Sequence, residues 1–344
     1  MPRVSVLMSV YNGEAFLDEA VRSILNQTYR DFEFLVIDDA SRDESWRLLH
    51  AYKDPRLRLV RNEKNMGLAA SLNRGLDMID CEFVARMDAD DISVHRRLEW
   101  QVRYLDDHPE VGVCGTWMKS FGVPEMAGTT RCPTGAECVT AFLLFANPIS
   151  HPTVVMRKAW LDRHRLRYDP AFGRAEDLDL WLRSADHFPL DNIGRIGLYR
   201  RDHGESVTAL HGETMDAQAG MLIARQLRKI GIDPDPETLN FHQRVGLGRR
   251  MRSVAEFDHA EAWLLRVKQA ALRSGRYKEK GLEEALGRIW FRLCANSTPA
   301  TAGIIRRYNR SELRPGYSPA LPQWAVLFAS TLWHHVFRKA AIRS

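Results

Sequence analysis

The first 120 residues alternate between two hydrophobic periods. Short, mostly apolar runs at 4–10, 32–37, 57–60, 83–87 and 111–118 are typical of buried strands. Apolar residues spaced three or four apart in 14–27, 45–52, 68–79 and 96–105 indicate amphipathic helices. Strand–helix alternation predicts an α/β fold with a mostly parallel sheet and helices on both faces.

The alternation breaks after Gly122. Residues 122–138 are loop-like, 153–156 resemble a strand, 178–185 a helix and 196–199 a last strand. From residue 209 the pattern is helical, with breaks at prolines. We therefore predict two domains, an α/β domain over 1–208 and a helical C-terminal appendage over 209–344.

Composition narrows the class of protein. The chain is 45% hydrophobic and 27% charged, which is typical of a globular protein. Its net charge of +5 suits anionic ligands such as nucleotides. The 49 basic residues are nearly balanced by 44 acidic ones, so the composition does not indicate nucleic-acid binding. The five cysteines include no CxxC pair, so we expect reduced thiols. The sequence shows no pattern of a leader or of a membrane-spanning segment, and we therefore expect a cytoplasmic protein.

Acidic residues stand where two predicted strands end. Asp88 and Asp90 are two apart, so on an extended backbone their side chains point the same way. Such a pair can bind Mg²⁺ or Mn²⁺, or it can simply cap the next helix. Asp39 follows another strand and can accept from a base N–H or cap a helix.

Glu176 and Asp177 open a predicted helix. Asp177 can act as a general base towards an acceptor hydroxyl, or it can be a first-turn acid that the helix dipole favours. His151 and His203 are isolated histidines, and such residues are more often structural than ligands.

Taken together, these segments resemble the family 2 glycosyltransferases, which have the GT-A fold. The matching segments occur in the order of the family and span residues 3 to about 208. They are 4–12, 23–28, 36–41, 65–75, 87–91 and 176–183. The segment 199–208 is similar to the late histidine segment of the family, although Asp202 before His203 departs from the usual pattern.

The resemblance implies roles for individual residues. Asp177 would be the catalytic base, Asp90 would hold a divalent cation (Mn²⁺ or Mg²⁺), and His203 would approach the metal or the diphosphate. The remaining site residues would bind the nucleotide sugar, with Asp39 on the base and Asp88 on the ribose and donor sugar. These nucleotide-binding residues are Ser9, Tyr11, Asp39, Asn65, Gly67, Arg74 and Asp88.

The implied reaction is an inverting hexosyl transfer from a nucleoside-diphosphate sugar, usually a uridine one, to a hydroxyl acceptor. The acceptor would be a saccharide or lipid-linked saccharide, in cell-surface polysaccharide or glycolipid synthesis. A nucleotidyltransferase is a weaker alternative because the turn at 11–15 has one glycine and no basic residue. A non-catalytic nucleotide-sugar-binding module is the other alternative.

The C-terminal tail carries an amphipathic pattern. Polar positions between 330 and 339 recur on one helix face, tryptophans and phenylalanines fill the rest, and basic residues flank it. Such a helix fits the inner face of a membrane, or it packs on the protein or on a second subunit in a homo-oligomer. The pattern leaves these alternatives open.

Overall fold

A computed structural model describes residues 1–124, 127–203, 207–297 and 304–319. The chain forms two compact units. The first, the sheet unit, comprises Met1–Ala136 and Asn147–Ala219. The second, the helical unit, comprises Glu137–Ala146 and Gly220–Ser344. The functional division predicted for 1–208 and 209–344 remains a prediction.

The sheet unit is built on one mixed sheet. Its strands are β1 (Val4–Val10), β2 (Phe32–Asp38), β3 (Leu57–Arg61), β4 (Phe83–Asp88), β5 (Ile92–Ser93), β6 (Val113–Phe121), β7 (Thr129–Thr130), β8 (Val155–Arg157) and β9 (Leu190–Arg201). The order is β3-β2-β1-β4-β8-β6-β9-β5, with β7 on β6. The first four strands in this order are parallel, as are β6 and β9.

Helices cover both faces of this sheet. The helices of the sheet unit are α1 (Leu17–Leu25), α2 (Ser45–Ala51), α3 (Leu68–Met78), α4 (Arg97–Asp107), α6 (Lys158–Arg163) and α7 (Glu176–Ser184). From Glu137 on, α5 (Ala136–Phe142) belongs to the helical unit, and α8 (Val207–Lys229) begins in the sheet unit and ends in the helical unit. Val6 and Met8 pack in one core with α1 and α4. Leu7 points the other way, where a Cβ on Gly75 of α3 would lie 2.3 Å from its Cδ1. The predicted fold class is therefore confirmed.

Two sequence predictions need correction. The segment 122–138, predicted as loop, contains β7 and the start of α5. The last strand, predicted over 196–199, is the 12-residue β9. Gly194 and Gly197 interrupt the apolar pattern of β9, so the sequence predicts only part of the strand. Gly197 lets the backbone approach β6, because a Cβ there would lie 2.4 Å from Thr116 Oγ1.

The helical unit has its own core. Its remaining helices are α9 (Pro236–Gly246), α10 (Val254–Arg273), α11 (Glu279–Ser297) and α12 (Ile304–Arg310). Residues of α5 pack in one cluster with α10 and α11. His242 is fully buried there; its Nδ1 accepts from Trp263 Nε1 (3.0 Å), so its proton lies on Nε2, which donates to Leu144 O (2.8 Å). Burial lowers the pKa of His242 to about 4.

Among the helices that the structure describes, none combines the length and apolar character needed to cross a bilayer. The predicted amphipathic tail helix at 323–339 lies outside the described residues.

Candidate active site

The carboxyl ends of the central parallel strands form the floor of the site. The register places Ser9 of β1 beside Ile37 of β2 and beside Asp88 of β4. Parallel strands end at the same edge of a sheet, which is where ligands bind in folds of this kind. The predicted nucleotide residues Ser9 and Asp88 are thus brought together.

Three carboxylates cluster just after β4. Oxygens of Asp88, Asp90 and Asp91 lie within 4.8 Å of one another. Asp91 is buried; its Oδ1 accepts from Arg201 N (2.9 Å), while its Oδ2 has no hydrogen-bond partner among the described residues. Burial, together with the charges of Asp88 and Asp90, raises the pKa of Asp91 to about 8. Hard carboxylate oxygens with one buried oxygen unsatisfied fit a divalent cation.

His203 lies at this cluster. Its Nε2 is 3.0 Å from Asp90 Oδ2, and its ring centroid is 5.0 Å from that of Phe16. Arg201 fixes the preceding strand end, because its guanidinium lies 4.6 Å from the ring centroids of Phe16 and Phe121 and its Nε donates to Asp90 O (3.0 Å). The structure therefore brings together both predicted metal ligands, Asp90 and His203.

Asp202, the departure from the family pattern, is an internal anchor. It is buried, its N–H donates to Phe121 O (2.8 Å), and its Oδ1 accepts from Arg200 Nη2 (2.6 Å). Gly122 has φ +105°, and a Cβ there would lie 2.6 Å from Asp202 O. These contacts hold the segment that carries His203.

Asp39 binds the loop before α3. Its Oδ1 accepts from Asn62 Nδ2 (2.6 Å) and Met66 N (2.8 Å), and its Oδ2 accepts from Gly67 N (2.8 Å). Gly67 has φ +84°, a conformation that favours glycine. In this structure the carboxylate of Asp39 therefore orders the loop at 62–67.

Arg74 joins the same network. Its Nη1 donates to Asn62 Oδ1 and to Arg61 O (3.1 Å). Asn62, which the sequence analysis missed, thus links Asp39 to Arg74. The predicted residues Tyr11 and Asn65 lie exposed on the surface.

The second acidic site lies in the first turn of α7. Asp177 Oδ2 accepts from Asn147 Nδ2 (2.7 Å) and Oδ1 accepts from Leu178 N (2.7 Å). Glu176 is buried, and burial with the neighbouring charge of Asp177 raises its pKa to about 7. Burial also raises the pKa of Asp177 above its usual range.

A buried arginine lies between the two acidic sites. Arg86 forms an ion pair with Asp88, and in the part of the chain that the structure describes its Nε and Nη1 have no hydrogen-bond partner. Its charge opposes the rise in the pKa values of Asp88, Glu176 and Asp177. Arg86 was not among the residues predicted from the sequence, although a charged residue inside an apolar strand indicates a functional or paired side chain.

His151 is structural in its contacts. Its Nε2 lies 2.8 Å from Tyr168 Oη, and its Nδ1 lies 3.9 Å from Glu176 Oε1. Burial, with the charge of Arg86, lowers the pKa of His151 well below its usual value. The residue is therefore a neutral, buried neighbour of Glu176.

Both acidic sites open into one cavity of about 520 Å³. Its lining includes both the carboxylate cluster and the first turn of α7. The lining residues that carry the argument are Arg86, Asp88, Asp90, Asn147, Glu176 and Asp177. The cavity thus presents one acidic site suited to a metal and another that is separate from it.

Comparisons with known proteins find relatives among the glycosyltransferases. The profile of the family described as Glycosyl transferase family 2 matches residues 5–157. The chain is 38% identical to the putative glycosyltransferase EpsE of Bacillus subtilis, over 53% of this chain and 66% of EpsE. It is 31% identical to the Escherichia coli UDP-Gal:alpha-D-GlcNAc-diphosphoundecaprenol beta-1,3-galactosyltransferase, over 57% of this chain and 72% of that enzyme.

A solved structure shares the fold. The structure of S. aureus TarS 1-349 in complex with UDP-GlcNAc superimposes with a TM-score of 0.53 at 19% identity. The match covers 98% of this chain and 92% of that one.

Proposed function

Because the chain belongs to glycosyltransferase family 2, we propose that it transfers a hexose from a UDP-linked donor to an acceptor hydroxyl with inversion. The observation that carries the proposal is the single cavity with two separate acidic sites. An inverting transfer needs a free carboxylate as base, apart from the group that stabilises the leaving diphosphate.

On the donor side, the nucleotide would lie over the ends of β1, β2 and β4. Asp39 and the loop it orders would border the base, together with Ser9 and Tyr11. Asn65, Gly67 and Arg74 would border the nucleotide from that loop and α3. Asp88, beside Ser9 in the sheet, would face the ribose and sugar.

A divalent cation fits the acidic cluster. Asp90 and His203 would hold it, with Asp88 and Asp91 close enough to contribute oxygens. When bound, such an ion supplies positive charge that stabilises a departing diphosphate. Arg201 keeps Asp90 and the β9 end in place by its contacts to Asp90 O and Asp91.

On the acceptor side, Asp177 would remove the proton from the attacking hydroxyl. Its carboxylate lies at the cavity and is held by Asn147 and the Leu178 N–H. Burial raises the pKa of Asp177, whereas the hydrogen bonds from Leu178 N and Asn147 and the positive charge of Arg86 favour the ionised form that a base requires. The new bond forms at the sugar C1, opposite the bond to the diphosphate that breaks.

The acceptor we propose is a lipid-linked saccharide, in cell-surface polysaccharide synthesis on the cytoplasmic side of the membrane. The relative from Escherichia coli is named for a diphosphoundecaprenol acceptor. The helical unit carries 22 Lys and Arg against 11 Asp and Glu, a formal charge of +11. Such a charge favours binding to lipid phosphates and to an anionic membrane surface. A homo-oligomer remains a further prediction.

The test is a transfer assay with a panel of nucleotide sugars and lipid-linked acceptors. We expect UDP release only when Mn²⁺ or Mg²⁺ is present, and a loss of at least about 10² in turnover for Asp90→Asn, the scale of losing an electrostatic stabiliser. Full activity in excess chelator would contradict the metal assignment. Diphosphate production from a nucleoside triphosphate would support a nucleotidyltransferase instead, and binding without turnover a non-catalytic module.

A further inference from the structure

We propose that Asn147 is a positioning residue for the transfer reaction, holding the carboxylate of Asp177 in the orientation that accepts the proton of the acceptor hydroxyl. This inference rests on the proposed function, in which Asp177 is the base. It concerns a residue 30 positions away in sequence, which neither the acidic motifs nor the helical pattern indicates.

The first step is the direction of the hydrogen bond. Asn147 Oδ1 accepts from Ile149 N (3.1 Å), which identifies that atom as the oxygen. The other amide atom is therefore the nitrogen, and it donates to Asp177 Oδ2 (2.7 Å). Asn147 is thus a donor to Asp177, with its own rotamer fixed by the backbone.

The second step is the rigidity of the loop that carries Asn147. The buried Asn192 donates through Nδ2 to Pro148 O (3.0 Å) and to Pro133 O (2.8 Å). Ile149 is buried next to it, and Thr153 N donates to Ser150 O (3.0 Å). A donor on a tethered loop limits rotation of the carboxylate at little entropic cost.

The carboxylate of Asp177 can still accept a hydrogen bond from an acceptor hydroxyl. Asp177 Oδ1 already accepts from Leu178 N (2.7 Å), so among the hydrogen bonds of the described residues each oxygen accepts one, and a carboxylate oxygen can accept a second. Both Asn147 and Asp177 line the cavity. Two donors therefore set the plane of the carboxylate while leaving it accessible to an acceptor.

Several charged and polar groups around Asp177 influence its pKa together with the hydrogen bond from Asn147. Glu176 precedes it on α7, Arg86 approaches from β4, and Tyr168 and His151 are neutral neighbours beside Glu176. A neutral donor to the charged form stabilises it, so loss of Asn147 raises the pKa of Asp177. Since a base must be deprotonated, the acidic limb of the pH–rate profile moves to higher pH.

The experiment measures pH profiles of kcat/KM for the full chain and its variants. Because solvent reaches Asn147, we expect Asn147→Ala to lower kcat about 10-fold, with the acidic limb raised by roughly half to one pH unit. Asn147→Asp keeps the shape and the acceptor for Ile149 N but adds a carboxylate, so the limb rises further. This isosteric variant keeps the test decisive if the alanine variant folds poorly.

Asn73→Ala is the matched control. Asn73 exchanges two hydrogen bonds with the backbone of Tyr168 and makes no contact with Asp177 among the hydrogen bonds of the described residues. We expect lower stability there with no shift of the acidic limb. An unmoved limb in both Asn147 variants, or a rise only in the acceptor KM, would overturn the inference. Full activity of Asp177→Asn would instead refute the base assignment of the proposed function.

Discussion

The two units of the chain carry opposite charge. The sheet unit has 27 Lys and Arg against 33 Asp and Glu, a formal charge of −6, whereas the helical unit has a charge of +11. The acidic residues of the candidate site lie in the sheet unit, where a metal and a base need carboxylates. A chain whose net charge is only +5 can therefore combine an acidic candidate site with a strongly basic unit.

The two units also differ in how much of each the family profile matches. The family profile ends at residue 157, so apart from 137–146 it lies in the sheet unit. Most of the helical unit lies beyond it. We therefore expect catalysis to depend on the sheet unit and attachment to an anionic partner to depend on the helical unit.

The largest effect is expected in the sheet unit. Asp177→Asn should lower turnover by about 10³-fold, within the range that general acid–base catalysis contributes. Binding of a nucleoside diphosphate, measured by calorimetry, should stay unchanged, because the base acts only in the transition state. Weaker nucleotide binding would show that Asp177 serves the donor, and an equal loss from Glu176→Gln would shift the assignment towards that neighbour.

The second effect is expected in the helical unit. Reversing the exposed Arg273, Lys278 and Lys280 to Glu should weaken binding to anionic vesicles by at least about 10²-fold, since the loss of each basic residue near such a surface removes about 1 kcal/mol. Co-sedimentation at low and high salt measures it. The matched control reverses three exposed basic residues of the sheet unit, namely Lys53, Arg103 and Arg163. Equal losses in both triple variants would remove the distinction between the units.

The third effect concerns the stability of the helical unit. His242 has a folded pKa of about 4, below the value near 6.5 of an unfolded histidine, so its neutral form is favoured on folding. Its contribution is complete above pH 6.5 and falls between pH 6.5 and 4, by up to about 3 kcal/mol. Urea unfolding of His242→Gln should show a weaker pH dependence in that window. The exposed His95→Gln should behave like the unchanged chain, and an unaltered slope for His242→Gln would refute the assignment.

Much of the sheet unit could be predicted because its signals are local. The apolar runs predict β1, β2, β3 and β4 nearly to the residue, and acids at strand ends predict Asp88 and Asp90. Asp91 was missed because its role depends on burial and on the N–H of Arg201, which is 110 positions away. Burial of one carboxylate among three is a tertiary property.

Long-range hydrogen bonds explain the other omissions. Asn62 and Asn147 look like ordinary polar loop residues in sequence, and only the fold brings them to Asp39 and Asp177. The length of β9 was missed because Gly197 and charged residues break its apolar pattern. Local periodicity thus predicts elements, while the partners of a carboxylate follow from topology.

During synthesis on the ribosome, residues 137–146 emerge long before the rest of the helical unit, to which they belong. Phe142, Leu144 and Phe145 share a buried cluster with α10 and α11, which emerge more than a hundred residues later. At about 5–20 residues per second, these side chains wait on the order of ten seconds for their partners. During that interval the nascent chain exposes an apolar segment in the middle of a domain that is otherwise ready to fold. Slowed or truncated translation after residue 146 should therefore favour aggregation or chaperone capture, well before the last helix is made.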